Sequence, residues 1–207
     1  MGPSINLTYW LGHTFFRNFA RSFYDFRIVG EENMKFDGAA IIAANHVSFL
    51  DPPIIGQAFD EVVRSFARKT LFDHPLAAMI LREWQVIPVD LEKPDTASLK
   101  TTMRLLRSGE KIVMFPEGTR SFDGKLQKAE PGIGLFLAKT GAPVLPIRLY
   151  GTFEAYPRKA KFLRRAQITL VVGQRYQPDL SAAAEQGRDL YQTLADEVMQ
   201  RIGGLTI

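Results

Sequence analysis

Two short polar segments hold the side chains in this sequence that are suited to catalysis. In the first, residues 45–51 (NHVSFLD), one of only three histidines, His46, stands five residues before Asp51. A carboxylate bound to one imidazole nitrogen fixes the tautomer and leaves the other nitrogen free to accept a proton, so this pair could act as a general base. The alternative is purely structural, with Asp51 capping a helix and His46 an ordinary polar residue.

The neighbours of Asp51 indicate how the two side chains would meet. Asp51 precedes Pro52, and proline is suited to the first positions of a helix, so a helix is predicted to begin here. Residues 39–44 form a small-apolar run that predicts a buried strand, which places residues 45–50 in the loop between strand and helix. A loop that folds over the helix start can turn His46 back toward Asp51.

The second segment, residues 115–121 (FPEGTRS), also follows a predicted buried strand. Gly118 permits a turn whose amide groups face an anion, and Arg120 can bind a phosphate through two parallel hydrogen bonds. Pro-Glu-Gly is also an ordinary turn, so this segment alone is a weak signal. Because ligands of open α/β sheets bind beyond the carboxyl ends of the strands, we expect both segments to contribute to one site.

In order and spacing, the two segments resemble the signatures of the glycerolipid acyltransferases, particularly those that act on 1-acylglycerol-3-phosphate. The first signature is a histidine, four residues and an aspartate, the second matches residues 115–120, and residues 144–147 (VLPI) resemble a later apolar-proline block. The likeness extends from about residue 26 to residue 172. It implies transfer of a fatty acyl group from acyl-CoA or acyl carrier protein to the free hydroxyl of a lysophospholipid acceptor. The first expected acceptor is 1-acylglycerol-3-phosphate, which gives phosphatidate, and no metal or other cofactor is expected.

The resemblance also implies roles for individual residues. His46 is the expected base that takes the proton of the acceptor hydroxyl, and Asp51 orients it. Three residues of the second segment are expected to bind the acceptor's phosphate: Arg120, Thr119 and the amide of Gly118. Three others are expected to support the site: Asn45, Ser48 and Glu117. An acyl-enzyme on Ser48 is the competing mechanism, although Ser48 lies outside any Gly-x-Ser-x-Gly turn.

One block departs from the family pattern. Where the family has an apolar strand ending in Asp-Arg, this chain has residues 84–91 (WQVIPVDL), so Leu91 replaces the arginine that helps to bind the acceptor's phosphate. Arg68, Lys69 or Lys93 is expected to supply the missing charge. The departure keeps other acceptors open, such as lyso-ornithine lipid or lysophosphatidylcholine. A lipid-binding module without catalysis is a second alternative.

The elements that position these residues follow from the pattern of apolar residues. Short apolar and β-branched runs predict strands at residues 26–29, 39–44, 62–67, 85–89, 111–115, 144–150 and 167–172. Helical patterns lie between several of them, including one capped by Asp95 and stopped at Gly109 and one over residues 181–202. We therefore predict an α/β domain over residues 26–207, with a mixed, largely parallel central sheet of about seven strands flanked by helices.

Residues 1–25 are predicted to form an N-terminal amphipathic helix that associates with a membrane. Phe16, Phe19 and Phe23 recur there at steps of three and four, and Phe26 continues the pattern just beyond this range. The alternative is that these phenylalanines pack on the domain's own core. No apolar run reaches the roughly 20 residues that span a bilayer, so we expect a peripheral protein on the cytoplasmic face of a membrane.

Composition limits the remaining possibilities. The chain has no cysteine, which excludes disulfides, thiolate metal sites and cysteine nucleophiles, and its net charge of +4 favours an anionic partner. Residues 156–165 (YPRKAKFLRR) contain five basic residues and no acid. We expect this basic run to face an anionic membrane surface or an acidic carrier protein, unless it is simply solvated. No recognition helix or base-stacking signature is present, so no nucleic-acid partner is expected, and His13 and His74 are predicted to be packing or turn residues.

Overall fold

The computed structural model describes residues 7–90, 95–181 and 189–207. Its α-helices are α1 (Leu7–Phe23), α2 (Asp51–Ala58), α3 (Pro75–Glu83), α4 (Thr96–Arg107), α5 (Gly132–Thr140), α6 (Thr152–Ala155) and α7 (Asp189–Gly203). Its strands are β1 (Asp25–Val29), β2 (Ala40–Ala44), β3 (Val63–Arg64), β4 (Phe66–Arg68), β5 (Ile87–Val89), β6 (Lys111–Met114), β7 (Val144–Tyr150) and β8 (Gln167–Val172). Short 3-10 helices cover Glu31–Met34 and Lys69–Asp73.

A six-stranded sheet in the order β1-β8-β7-β2-β6-β3 forms the centre of the fold. Its neighbouring strands are parallel, except that β7 and β8 are antiparallel. All five residues of β2 are buried, with Ile41 and Ala43 in the core cluster on one face and Ile42 and Ala44 in the cluster on the other. This alternation is the two-residue period of a strand that is covered on both faces. The predicted α/β class with a mostly parallel sheet is confirmed.

The structure differs from the prediction at residues 62–67, where one strand was expected. The chain forms two short strands instead, of which β3 joins β6 in the large sheet and β4 pairs with β5 in a separate two-stranded sheet. The change of partner occurs at Ser65, whose carbonyl accepts a hydrogen bond from the Ile87 amide at 2.8 Å. The large sheet therefore contains six strands rather than about seven.

Helix α1 packs on the domain through the predicted phenylalanine stripe. Phe16, Phe19 and Phe23 contact the core cluster on one face of the sheet, which agrees with the second interpretation of this stripe. Arg17 fixes the helix further, because its guanidinium donates to the carbonyls of Gln57 and Phe59 at 2.8 and 2.9 Å. Residues 1–6 of the predicted helix lie outside the described residues.

The two other predicted helices are present. The Asp95 side chain accepts the Ser98 amide at 2.9 Å and caps α4, and Gly109 follows the helix in a left-handed conformation with φ +93°. Helix α7 covers the later part of the range predicted at residues 181–202, and residues 182–188 lie outside the described part of the chain. It packs against α5 so closely that a Cβ atom on Gly134 would overlap the carbonyl of Tyr191.

Candidate active site

The two polar segments meet at one edge of the large sheet. Strands β2 and β6 are parallel neighbours in which Ala43 pairs with Met114, so their carboxyl ends lie side by side. The loops that follow are joined through the His46 backbone, whose carbonyl accepts the Ser121 amide at 2.8 Å and whose amide donates to Glu117 Oε1 at 3.2 Å. The expectation that the segments form one site is therefore supported by direct contacts.

His46 and Asp51 form the predicted pair. Nδ1 of His46 lies 2.8 Å from Oδ2 of Asp51, and the same oxygen accepts the amides of Val47 and Ser48 at 2.7 Å each. Asp51 is fully buried and is the first residue of α2, whose N-cap is Leu50, so Asp51 does not serve merely as the helix cap. A carboxylate with these contacts fixes both the tautomer and the loop.

The imidazole of His46 presents its other nitrogen to the outside. The ring stacks on Phe115 with a centroid distance of 3.9 Å and an interplanar angle of 15°, which fixes the plane of the imidazole. The side chain is 18% exposed, and no residue of the described chain forms a hydrogen bond with Nε2. Nε2 is therefore the atom that can accept a proton from a substrate.

Asn45 and Ser48 hold the loop against neighbouring elements, as expected of supporting residues. The Asn45 amide pairs with the backbone of Leu149 on β7, donating at 3.1 Å and accepting at 2.7 Å. The Ser48 hydroxyl is fully buried, donates to the Tyr156 carbonyl at 2.7 Å and accepts the Leu50 amide at 3.1 Å. These bonds give Ser48 a structural role and argue against an acyl-enzyme on it.

Glu117 joins the second loop to the first. Oε1 accepts the His46 amide, and Oε2 accepts the side-chain amide of Gln127 at 3.1 Å. Burial raises the pKa of Glu117 to about 7, and the Asp51 carboxylate acts in the same direction, whereas the hydrogen bonds lower it. The residue is therefore placed to brace the loop, as the sequence predicts.

Arg120 lies over the ring of Phe49, with its guanidinium carbon 3.3 Å from the ring centroid. Its Nη1 is buried without a hydrogen-bond partner among the described residues. Burial lowers the pKa of Arg120, and the charges of Arg158 and Arg68 lower it further. The Asp51 carboxylate acts in the opposite sense. Arg120 is therefore within electrostatic reach of both the histidine–aspartate pair and two other cations.

The other residues that were predicted to bind the phosphate do not all lie where they could do so. Gly118 adopts the expected left-handed turn, with φ +67°, but its amide donates to the Phe115 carbonyl at 3.0 Å and is not available to an anion. Thr119 is exposed beside Arg120. The charge of Arg68, the exposed last residue of β4, lowers the pKa of Arg120. The charge of Lys69 lowers the pKa of Asp95 instead. Leu91 and Lys93 lie outside the described residues.

Three contacts of the site were not predicted from the sequence. Phe115 stacks on His46, and Phe49 supports Arg120. The charge of Arg158, in the basic run at residues 156–165, lowers the pKa of Arg120. The signals for them in the sequence were a phenylalanine in each of the two polar segments and an excess of basic residues at 156–165.

The other histidines lie outside this arrangement. Nε2 of His13 lies 3.0 Å from the Phe59 carbonyl and its ring stacks on Tyr9, while His74 is the N-cap of α3. Within the described residues, no group of three or more histidine, cysteine, aspartate or glutamate side chains is placed to hold a metal ion. In the same part of the chain, none of the helices combines the length and the apolar character needed to cross a membrane.

Comparison with known proteins gives consistent relationships. A family model described as Acyltransferase matches residues 25–150. The chloroplastic 1-acyl-sn-glycerol-3-phosphate acyltransferases of Arabidopsis thaliana and Brassica napus are 37% and 36% identical to this chain over 158 residues, which is 72% of this chain but only 43% and 44% of theirs. The Bacillus subtilis enzyme of the same name is 29% identical over 152 residues, 72% of each chain. This chain thus spans less than half the length of the plant relatives.

A solved structure has the same fold. The crystal structure of the 1-acyl-sn-glycerophosphate acyltransferase PlsC from Thermotoga maritima superposes with a TM-score of 0.73 and 24% identity. The match covers 94% of this chain and 81% of that one. The likeness therefore extends beyond the matched family segment to nearly the whole domain.

Proposed function

The chain belongs to the acyltransferase family, and on that premise we propose that it acylates 1-acylglycerol-3-phosphate to give phosphatidate. The acyl donor is a thioester, acyl-CoA or acyl carrier protein. The observation that carries the proposal is the fixed His46–Asp51 pair with Nε2 open, next to a guanidinium that has no carboxylate partner among the described residues. The names of the plant and Bacillus relatives support the choice of acceptor.

In the proposed reaction, the acceptor hydroxyl attacks the thioester carbonyl carbon while Nε2 of His46 takes the hydroxyl proton. An alcohol is almost wholly protonated at neutral pH, so this step needs a base, and general-base help typically contributes about 10²–10⁴-fold. The buried Asp51 carboxylate stabilises the imidazolium. When the carbon–sulfur bond breaks, the leaving thiolate takes the proton from the His46 imidazolium, which restores the neutral imidazole. The step therefore needs no metal or redox partner.

Positioning of the acceptor is the second part of the mechanism. Arg120 lies against the face of Phe49, so its N–H donors stay at the edge of the guanidinium, where we propose that they bind phosphate oxygens. One of these groups, Nη1, is buried and has no hydrogen-bond partner among the described residues. Holding the phosphate fixes the hydroxyl relative to His46, and such positioning can contribute as much as the base itself. Lyso-ornithine lipid offers Arg120 a singly charged carboxylate, whereas 1-acylglycerol-3-phosphate offers a phosphate of higher charge, and this favours the phosphate-bearing acceptor.

An assay with competing acceptors tests the proposal. The purified chain is incubated with 1-acylglycerol-3-phosphate, lysophosphatidylcholine and lyso-ornithine lipid together, and with acyl-CoA or acylated carrier protein, and the products are identified by mass. We expect phosphatidate as the main product, and its loss in His46→Ala but not in His74→Ala. A non-catalytic lipid-binding module predicts no product from any acceptor, and unchanged lipid binding in His46→Ala.

We also propose that the protein works on the cytoplasmic face of a membrane, docked through the α1–α3 patch. This patch consists of exposed apolar residues on two neighbouring helices: Leu7, Trp10, Leu11 and Phe15 on α1 and Leu76, Met79 and Ile80 on α3. The helices meet where Phe16 packs edge-on against Trp84, at 6.1 Å between ring centroids. Exposed apolar groups on adjacent helices are suited to burial at a lipid interface. In the basic run, Phe162 is 79% exposed among the cations and is a further candidate for lipid contact.

A further inference from the structure

Arg158 belongs to the basic run by sequence but is held against the candidate site. The Tyr156 carbonyl accepts the Ser48 hydroxyl at 2.7 Å, and the Tyr156 ring lies 6.2 Å from that of Phe49. These contacts attach Tyr156, two residues before Arg158, to the loop that carries His46. Arg158 is therefore partly buried near the site, whereas the next residue, Lys159, is exposed.

The guanidinium of Arg158 is placed by an aromatic face. Its central carbon lies 4.2 Å from the centroid of Phe122, a residue only two positions after Arg120. Arg120 itself lies on Phe49 in the same way. Stacking occupies the face of a guanidinium and leaves its N–H donors at the edge, where a phosphate can bind them. Both arginines are thus oriented without using the donors that an anion needs.

In the described residues, neither Arg120 nor Arg158 is paired directly with a carboxylate, although the Asp51 charge acts favourably on Arg120. The positive charge of Arg158 acts unfavourably on Arg120. Like charges held together cost free energy unless an anion lies between them. The natural counter-ion is one with two negative charges, and a phosphate monoester carries about −1.5 to −2 near pH 7.

We propose that Arg158 binds the acceptor's phosphate monoester together with Arg120, and so makes the site selective for a doubly charged headgroup. Arg158 would supply the cation that the sequence lacks at Leu91. A phosphodiester headgroup such as that of lysophosphatidylcholine carries one negative charge and matches a single guanidinium. This inference rests on the proposed function, because it names a further residue for the same acceptor.

Binding and activity of charge variants test the inference. The variants are Arg158→Gln, Arg158→Lys and the matched control Lys159→Gln, which removes the same charge from the next, exposed residue. Calorimetric titration with 1-octanoylglycerol 3-phosphate measures headgroup binding, and titration with 1-octanoylglycerol measures binding without the phosphate. Acyl transfer to 1-acylglycerol-3-phosphate gives KM and kcat.

We expect Arg158→Gln to weaken binding of the phosphate-bearing probe, and to raise KM, by about 10- to 100-fold, as is typical for loss of a hydrogen bond to a charged group. Binding of 1-octanoylglycerol and kcat should change little, and Arg158→Lys should recover part of the loss. Equal losses in Arg158→Gln and Lys159→Gln, or a loss that also affects the phosphate-free probe, would overturn the inference. A wild-type chain that transfers no acyl group would instead overturn the proposed function.

Discussion

Oδ2 of Asp51 receives three contacts at once, from Nδ1 of His46 at 2.8 Å and from the amides of Val47 and Ser48 at 2.7 Å. One buried oxygen thus fixes the imidazole and the backbone that carries it. Orientation of the base and folding of the loop are therefore coupled through a single side chain.

Asp51→Asn should impair both properties. The amide cannot reproduce the charge that stabilises the imidazolium, so we expect kcat to fall by roughly 10²–10⁴-fold. The free energy of unfolding should fall by about 1–3 kcal/mol, because buried hydrogen bonds to a charged acceptor are weakened. Steady-state kinetics and urea unfolding measure the two effects, with the exposed Asp73→Asn as control. A variant with normal kcat would contradict the role given to Asp51.

Ser48→Ala should lower stability without lowering kcat, because the Ser48 hydroxyl holds the loop but does not react. The substitution leaves the Tyr156 carbonyl without its donor, so the free energy of unfolding is expected to fall by about 1–2 kcal/mol. Because direct acyl transfer does not use this hydroxyl, kcat should stay within a few-fold of the wild-type value. An acylated protein trapped with thioester alone, and absent in Ser48→Ala, would establish the covalent route instead.

Glu117 should make stability depend on pH. Its pKa is raised from 4.5 to about 7 in the folded chain. Its contribution to the free energy of unfolding is therefore fully present below pH 4.5 and is lost as pH rises to about 7. The unfolded chain binds fewer protons over this range, and wild type should lose roughly 3 kcal/mol relative to Glu117→Gln. Urea unfolding at several pH values measures the difference. Glu154→Gln, an exposed acid in α6, should follow the wild-type curve, and a Glu117→Gln curve parallel to wild type would refute the prediction.

The contact between α5 and α7 should be sensitive to a single methyl group. A Cβ atom on Gly134 would overlap the Tyr191 carbonyl, so Gly134→Ala must separate the helices and should cost about 1–3 kcal/mol. Gly132, in the same helix, has no neighbouring atom within 4 Å of the added Cβ position. Gly132→Ala should therefore leave stability unchanged or slightly higher, and thermal unfolding of the two variants should differ clearly. Equal melting temperatures would show that the helices do not pack as described.

Membrane docking should depend on the α1–α3 patch. Replacing Phe15 and Leu76 by aspartate removes exposed apolar surface from both helices, and we expect binding to anionic phospholipid vesicles to weaken at least about tenfold. Ile207→Asp changes an equally exposed apolar residue outside the patch and serves as the control. Vesicle sedimentation measures the effect, and unchanged binding of the double variant would assign docking to another surface.

Much of this fold is predictable because its central strands are buried on both faces. In the sequence, β2 is an unbroken apolar run and β6 is an apolar run that begins after Lys111, and each is followed by polar residues. Both the strands and the candidate site beyond them can therefore be located. His46, Asp51 and Arg120 were identified on that basis, and the structure brings all three together. Their roles in catalysis and phosphate binding stay predictions.

The features that could not be predicted depend on contacts between distant residues, which produce no pattern in the local sequence. Arg158 reaches the site through the bond between Tyr156 and Ser48, which are 108 residues apart in the chain. The amide of Gly118 is used by its own turn, and residue type gives no indication of the direction of a backbone N–H. The change of sheet at Ser65 likewise depends on which strand lies nearby rather than on the residues themselves.

Helix α2 has a further consequence for how a lipid would be handled. Its first residue is Asp51, and near its other end the Gln57 carbonyl accepts a hydrogen bond from Arg17 of α1. At eight residues it is about 12 Å long. Because α2 links α1 to the loop of His46, its length fixes the distance between the imidazole and any surface on which α1 lies. If α1 docks on a lipid leaflet as proposed, this distance fixes how far the one free hydroxyl of 1-acylglycerol-3-phosphate must rise out of the leaflet to meet Nε2 of His46.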